Sequence, residues 1–372
     1  MAQRMYWVPH TICYFGCEHC HNDSLMTGQR ADKRIIDGVI ANLPGPESPY
    51  RLEAMLVGGG EALMRGQQME YLVQAFRARF PRGPQATVQE RWAAGYSTLA
   101  LQTMGHPLAD AKGIPAAKVI NYWLDLGVDY FHIASNDMFH ERQRPDYPWE
   151  TLRAELRRYE AEHGVHFHIY GKSAARLVPS GRVLDTLPTL EQEGAGLLTD
   201  EGYCASSWEA GAHFLSGQTA SYPECSEVVI DPQGWVHPCC WHELAPGLFD
   251  LSTTPFEQGM DRMQQVPLCQ AIDKGDMFAL AQIAGVDIAT ARSVRDTVGD
   301  CGACRLWSVR LGQQAEHAWL QPTQLSSREI RFYERHLGTA TMEELFPRST
   351  GLQLHTGDCC ATVPVYRHLA HT

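Results

Sequence analysis

The sequence has no apolar run long enough to span a membrane, and its first residues, M-A-Q-R-M-Y-W-V-P, hold no signal-peptide core. Both absences point to the cytoplasm. Basic residues are also short: 31 Lys and Arg stand against 43 Asp and Glu, a formal charge of −12. That balance gives no broad basic face for gripping nucleic acid without sequence preference. Internal repeats and low-complexity tracts are missing, which excludes a solenoid. A disulfide framework is missing too. The twelve cysteines among 372 residues sit in clusters rather than at scattered positions, and in a cytosol that favours metal or cluster ligation. The length allows one large domain and a smaller one.

The densest cluster is the stretch T-I-C-Y-F-G-C-E-H-C-H from Thr11 to His21. Cys13, Cys17 and Cys20 follow a C-x3-C-x2-C spacing in a short loop after an apolar run. Three soft thiolates this close together suit an iron–sulfur cluster. A closed zinc site wants a fourth protein ligand, which His19 or His21 would have to supply; three cysteines alone leave one iron open to another molecule.

Around this loop the chain alternates strand and helix. Arg4 to Ile12 reads as a first strand, and Ile35, Ile36, Val39, Ile40 and Leu43 have helical spacing up to Pro44. Leu52 to Val57 reads as a buried strand running into Gly58-Gly59-Gly60-Glu61, and Met69, Leu72, Val73, Phe76 and Phe80 mark an amphipathic helix closed by Pro81. Thr98 to Gln102 is the third strand, Pro115 to Leu126 a helix ended by Gly127, and Val128 to Ala134 the fourth strand. Helix Leu152 to Glu162 and strand Val165 to Tyr170 follow; a sixth strand is poorly marked between Gly194 and Tyr203. Strand–helix alternation predicts a parallel sheet. Glycines let a backbone approach a ligand closely, and a carboxylate after them can accept hydrogen bonds from an ammonium group. His166 and His168 alternate and so share one strand face, which reads as a plain polar face, with contact to substrate or cofactor as the alternative. Gly171-Lys172-Ser173 imitates a phosphate loop, but His166 stands where that motif needs glycine.

The cysteine spacing, together with Gly59-Gly60-Glu61 after the second strand, resembles the radical S-adenosylmethionine (radical SAM) enzymes. Ala62 replaces that family's usual proline. The resemblance implies a partial (β/α)6 TIM-like barrel over residues 1–215 and a [4Fe-4S] cluster on Cys13, Cys17 and Cys20. It implies that S-adenosyl-L-methionine chelates the open iron through its amino and carboxylate groups. Gly59, Gly60 and Glu61 would receive the methionine amino group. Thr103, in Thr103-Met104-Gly105, resembles the family's T-N-G ending. Ser135 and Asp137 resemble an S-x-D that meets the ribose and carboxylate side, and His19 falls among the cofactor contacts. His140, Glu141 and Arg142 are a looser match.

A second cysteine set begins at Cys225. A β-hairpin fits there, with Glu227 to Ile230, a turn at Asp231-Pro232-Gln233-Gly234, and Trp235 to His237, followed by Cys239 and Cys240. Cys301 and Cys304 form a distant C-x2-C. Zinc and iron–sulfur both fit such a set, and a redox-active disulfide at Cys301/Cys304 is a lesser reading. The set resembles the shortened Twitch type of the SPASM domain, which implies an auxiliary [4Fe-4S] cluster in residues 216–310 on Cys225, Cys239, Cys301 and Cys304. Cys240 could substitute for Cys239; nothing in its spacing assigns Cys269. Residues 311–372 read as a helical tail, with a capping box at Ser326 and Glu329 and a Cys359-Cys360 pair near its end.

The resemblance implies that one electron, from a donor such as flavodoxin or ferredoxin, drives cofactor cleavage to methionine and a 5′-deoxyadenosyl radical. That radical would take a hydrogen atom from a peptide or small natural-product substrate. The expected outcome is oxidation, by dehydrogenation or cross-linking, with the auxiliary cluster accepting the second electron. The alternative is redox-neutral epimerisation, with Cys204 returning a hydrogen atom. A zinc-stabilised binding protein is the reading from another class. With twelve residues before Cys13, a leader-peptide-binding domain is not expected ahead of the barrel, which tempers the peptide reading without removing it, because such domains can be separate chains.

Overall fold

A computed structural model gives the fold and describes residues 3–85, 87–134, 138–170, 180–192, 228–238, 247–273, 277–312 and 324–347. Five parallel strands follow one another across a sheet: β1 (Gln3–His10), β2 (Leu52–Gly59), β3 (Thr98–Thr103), β4 (Tyr130–Ala134) and β5 (His166–Tyr170). On the other side of β1 lies β6 (Val228–Ile230), also parallel to it, then β7 (Trp235–His237) and β8 (Phe249–Asp250), both antiparallel to their neighbours. The order is β5-β4-β3-β2-β1-β6-β7-β8. The architecture is mixed α/β with a mostly parallel sheet.

Helices make the crossovers that parallel strands require. They are α1 (Lys33–Asn42), α2 (Gly66–Arg79), α3 (Val88–Ala93), α4 (Ala117–Leu126), α5 (Met138–Gln143), α6 (Trp149–His163) and, after β5, α7 (Val183–Gln192). Asp32 caps α1 by accepting from the Ile35 N–H at 2.8 Å, and the helix buries Ile36, Val39 and Ile40. Met69, Leu72, Val73 and Phe76 are the buried stripe of α2. These side chains join Trp7, Val57, Leu101, Ile133 and Phe167 of the strands in one continuous core. The other sheet face carries Tyr6, Leu56, Ala100, Tyr130 and His166 in one cross-strand row, with Gln102, His132 and His168 in the next but one.

The later helices are α8 (Phe256–Met263), α9 (Pro267–Asp273), α10 (Met277–Ile283), α11 (Ile288–Gly312), α12 (Ser327–Leu337) and α13 (Thr339–Leu345). Gly299 breaks α11 with φ 74° and ψ 171°. The capping box of α12 is formed: the Glu329 N–H donates to Ser326 Oγ at 3.2 Å and the Ser326 N–H to Glu329 Oε2 at 2.7 Å.

Several boundaries differ from the sequence expectation. β1 ends at His10 rather than Ile12, and its pairing with β2 slips between Trp7 and His10. β4 begins at Tyr130 and α6 at Trp149, not at Val128 and Leu152. The expected hairpin forms, as β6 and β7, and β6 pairs with β1, so it extends the same sheet. Its turn is tied by Asp231, whose Oδ1 accepts from the Gln233 and Trp235 N–H groups at 2.8 and 2.9 Å. Among the described residues, no helix is long and apolar enough to cross a membrane. Outside them lie Ser135, Asp137, Gly171-Lys172-Ser173, the window for a sixth strand, Cys204, Cys225, Cys239, Cys240, Cys359 and Cys360.

Candidate functional site

The loop after β1 folds back on itself. The Leu25 N–H donates to the Thr11 carbonyl and the Cys13 N–H to the Leu25 carbonyl, both at 3.1 Å, while the Cys20 N–H closes a turn on the Cys17 carbonyl at 3.1 Å. The thiols of Cys13, Cys17 and Cys20 thereby line one cavity at the C-terminal ends of β1, β2 and β3. Backbone N–H groups point at two of the sulfurs, from Phe15 to Cys13 Sγ at 3.4 Å and from Ser24 to Cys20 Sγ at 3.3 Å. Burial pushes the Cys13 thiol up to about 12. Such a thiol ionises when a metal supplies the balancing charge.

The glycine triplet meets this loop backbone to backbone. The Gly60 N–H donates to the His10 carbonyl at 3.0 Å and the Glu61 N–H to the Ile12 carbonyl at 3.1 Å. A Cβ on Gly60 would stand 2.1 Å from the Ile12 carbonyl oxygen, so only glycine fits there. The Gly59 carbonyl accepts from Asn22 Nδ2 and from Ser24 Oγ, each at 3.1 Å. Much of the triplet's work is therefore to lock two loops together beside the thiols.

Glu61 is 1% exposed and its carboxylate is already well occupied. Oε1 accepts from Thr103 Oγ1 at 2.7 Å and from the Leu63 N–H at 3.1 Å; Oε2 accepts from the Met104 N–H at 3.0 Å. Burial raises its pKa, and the Met104 and Thr103 donors oppose that rise. An ionised carboxylate offers about four acceptor positions. One remains here, on Oε2, at the cavity wall. Thr103 is committed to Glu61 as donor and takes the Gly105 N–H at 3.2 Å as acceptor.

His19 also lines the cavity. It stacks on Phe139 with ring centres 4.6 Å apart and 27° between planes, and meets His140 edge-on at 4.6 Å. A zinc knuckle would gather four donors around one ion. Among the described residues, no three of His, Cys, Asp and Glu stand together in that way. A four-iron cluster asks for something else, one thiolate on each of three irons. The cavity offers ≈ 90 Å³ against the roughly 10–15 Å³ that one water needs, and its donor set is thiol-rich, so the residues present fit such a cluster.

Sequence reasoning did not find Tyr6, Asn22, Ser24 or Gln102, which also line this cavity. Strand alternation could have placed Tyr6 and Gln102 on the inner face. His132 and His168 lie further along that face, stacked with centres 4.4 Å apart and 21° between planes. Burial, and then the charge of His168, would push the His132 imidazole down to about 3, so it is neutral near pH 7.

At the other expected site, Cys301 and Cys304 are buried at the start of the helical segment after Gly299. Arg305 beside them donates to Glu329 Oε1 at 2.7 Å and to the Gln324 carbonyl at 3.0 Å. Tyr333 Oη donates to the Gly302 carbonyl at 3.0 Å. Cys269 is buried on α9. The proposed partners Cys225 and Cys239 lie outside the described residues.

No protein-family model and no curated protein matches the chain. Among solved structures it is similar to BtrN in complex with AdoMet and 2-DOIA, at 12% identity over 74% of this chain and 89% of that one, with a TM-score of 0.45. It is also similar to anSMEcpe with bound AdoMet and Kp18Cys peptide, at 12% identity over 94% of this chain and 98% of that one, with a TM-score of 0.43. Neither likeness at these values bears on the chemistry, which rests on this chain's own residues.

Proposed function

We propose that the chain is a radical S-adenosylmethionine enzyme. One observation carries the reading: three thiols from a single eight-residue stretch line the same cavity as Gly59, Gly60 and Glu61, at the C-terminal ends of adjacent parallel strands. Active sites built on parallel α/β sheets gather at those strand ends. A four-iron cluster with S-adenosylmethionine held there by Cys13, Cys17 and Cys20 would supply a radical able to remove a hydrogen atom from an unactivated C–H.

The chain's own residues prepare for that chemistry. Cys13, Cys17 and Cys20 would hold three irons, and the Phe15 and Ser24 N–H groups stabilise negative charge on two of the sulfurs. The remaining acceptor position on Glu61 suits an ammonium group. Tyr6, Gln102 and Ala134 continue the wall along the inner sheet face, where a substrate would be held close and shielded from water. Ser135 and Asp137 would complete the cofactor contacts.

The finer reading has a partial (β/α)6 barrel followed by a Twitch-type region with a second cluster on Cys225, Cys239, Cys301 and Cys304. That cluster would accept an electron from the substrate, so the reaction is oxidative. A small reduced carrier such as flavodoxin or ferredoxin would supply the first electron in the cytoplasm. The substrate is a peptide or a small natural product.

Anaerobic reconstitution tests this reading. The protein should take up about eight irons and about eight sulfides. Changing Cys13, Cys17 and Cys20 together to alanine should remove about half of each and abolish 5′-deoxyadenosine formation. Continued formation by the triple variant, or uptake of zinc without sulfide, overturns it.

A further inference from the structure

The loop that carries the cysteines is gripped by a residue outside every motif above. Arg182 directly precedes α7. Its Nη1 donates to the Cys17 carbonyl at 2.7 Å, its Nη2 to the Ser24 carbonyl at 2.7 Å and its Nε to Asp23 Oδ1 at 3.3 Å. Its backbone N–H donates to the Cys20 carbonyl at 2.9 Å. One residue thus binds the turn from Cys17 to Ser24 at four points. Gly181 allows the approach: a Cβ there would stand 2.4 Å from the carbonyl oxygens of Cys20 and His21. Thr186, one turn on, donates to the Glu18 carbonyl at 2.9 Å.

Asp23 is the strained point of this turn. Its φ of 45° makes it the one non-glycine residue with positive φ among the described residues. Such a conformation persists where its surroundings impose it. Two guanidiniums do so here, Arg182 on Oδ1 and Arg328 on Oδ2 at 3.0 Å. Arg328 also holds Asp185 Oδ2 at 2.7 Å and the Gly181 carbonyl at 3.3 Å. It stands on α12, the helix whose Glu329 and Tyr333 hold Arg305 and Gly302 around the C-x2-C pair.

We propose that Arg182 is the positioning residue that holds the Cys17–Ser24 turn in its ligand-presenting form. Through Asp23 and Arg328 it ties that turn to the helix packed over Cys301 and Cys304. Only the loading of the site rests on the function proposed above; the shape of the loop is a property of the bare chain.

The test has two readouts, made on full-length Arg182→Gln, Arg182→Lys and Arg328→Gln proteins. The first is alkylation of the metal-free protein by iodoacetamide, followed cysteine by cysteine by mass spectrometry. Arg182→Gln should speed Cys17 and Cys20 by roughly tenfold or more, the effect of losing charge-assisted bonds, with Cys301 and Cys304 unchanged. Arg328→Gln should speed the same two thiols less, and the double variant should be non-additive because both residues act on Asp23. The second readout is the reduction potential after loading with iron and sulfide. Loss of the guanidinium charge should move it negative in Arg182→Gln and leave it near wild type in Arg182→Lys, because reduction adds negative charge beside that group. Wild-type alkylation rates in Arg182→Gln overturn the proposal; faster alkylation of Cys17 and Cys20 supports it, and a potential that moves in Arg182→Gln but not in Arg182→Lys supports it further by showing that the guanidinium charge acts on the loaded site. Should Arg182→Gln fail to fold, the Lys and Arg328 variants decide by the same criteria. A loop that takes zinc instead of iron and sulfide removes the proposed function, and the alkylation rates alone then decide this inference.

Discussion

The Thr103 hydroxyl donates to Glu61 Oε1 across 2.7 Å, joining the end of β3 to the loop after β2. Every group around this carboxylate is a donor, so Glu61→Gln turns an amide N–H2 towards other donors. The variant should lose stability by about 1–3 kcal/mol, measured by urea unfolding. It should also weaken S-adenosylmethionine binding, and more than Thr103→Val does, because only Glu61 offers the spare acceptor position. Equal cofactor affinity in wild type and Glu61→Gln would leave the carboxylate as a brace between loops and nothing more.

A second set of charges braces the sheet away from the cavity. Asp129 is 4% exposed and is held by Arg77, by Arg82 at 2.9 Å and by Arg91 at 3.2 Å, while its Oδ2 accepts from the Leu99 N–H at 2.8 Å. Removing the one anion leaves three guanidiniums facing each other in a mostly buried space. Asp129→Ala should cost about 3–5 kcal/mol. A loss below about 1 kcal/mol, the range of exposed pairs, would show that water already screens the group.

How much of this was legible in advance follows from the range of the interactions. The cysteine spacing, the glycine triplet and the α12 capping box are local patterns, and each folds close to its sequence position. The strands β1 to β5 were legible because alternating apolar runs between helices admit few arrangements. The pairing of β6 with β1 was not, since a three-residue strand so distant in sequence carries no register signal. Arg182 and Arg328 were equally hidden. Each is an ordinary arginine in sequence, and only the folded chain brings both to Asp23. Glu61 was read for its charge, whereas two of its three donors, Thr103 and Met104, come from the end of β3, beyond any local pattern.

The inner-face histidines predict a pH dependence. His132 is held near 3 against an ordinary 6.5, mainly by burial, so the unfolded chain takes a proton there more readily than the folded one. Its contribution to stability is whole above about pH 6.5 and is lost progressively as pH falls towards 3. The slope from this one group is at most about 1.4 kcal/mol per pH unit. Urea midpoints for wild type and His132→Asn at pH 7, 6 and 5 measure it. The wild type should fall more steeply, and parallel curves would mean that His132 is solvated enough to titrate normally.

The last prediction separates oxidation from epimerisation. Cys301 and Cys304 belong to a helix remote in sequence from the cysteine loop, so replacing both with alanine should leave S-adenosylmethionine cleavage in place. If a second cluster there accepts the substrate's electron, that variant should still make 5′-deoxyadenosine but no oxidised product. Epimerisation makes different demands. It needs a hydrogen donor, for which Cys204 is the candidate, and a thiol proton exchanges readily with solvent. Product made in D2O would then gain one deuterium at unchanged hydrogen count, and Cys204→Ala would leave the substrate radical unquenched. Oxidation instead gives a product two hydrogens lighter than substrate, formed equally well by the Cys204 variant. Mass spectrometry of the product from the three proteins decides the matter. We expect the lighter product, because an electron acceptor in the second cysteine set gives those buried thiols a use that epimerisation would leave unexplained.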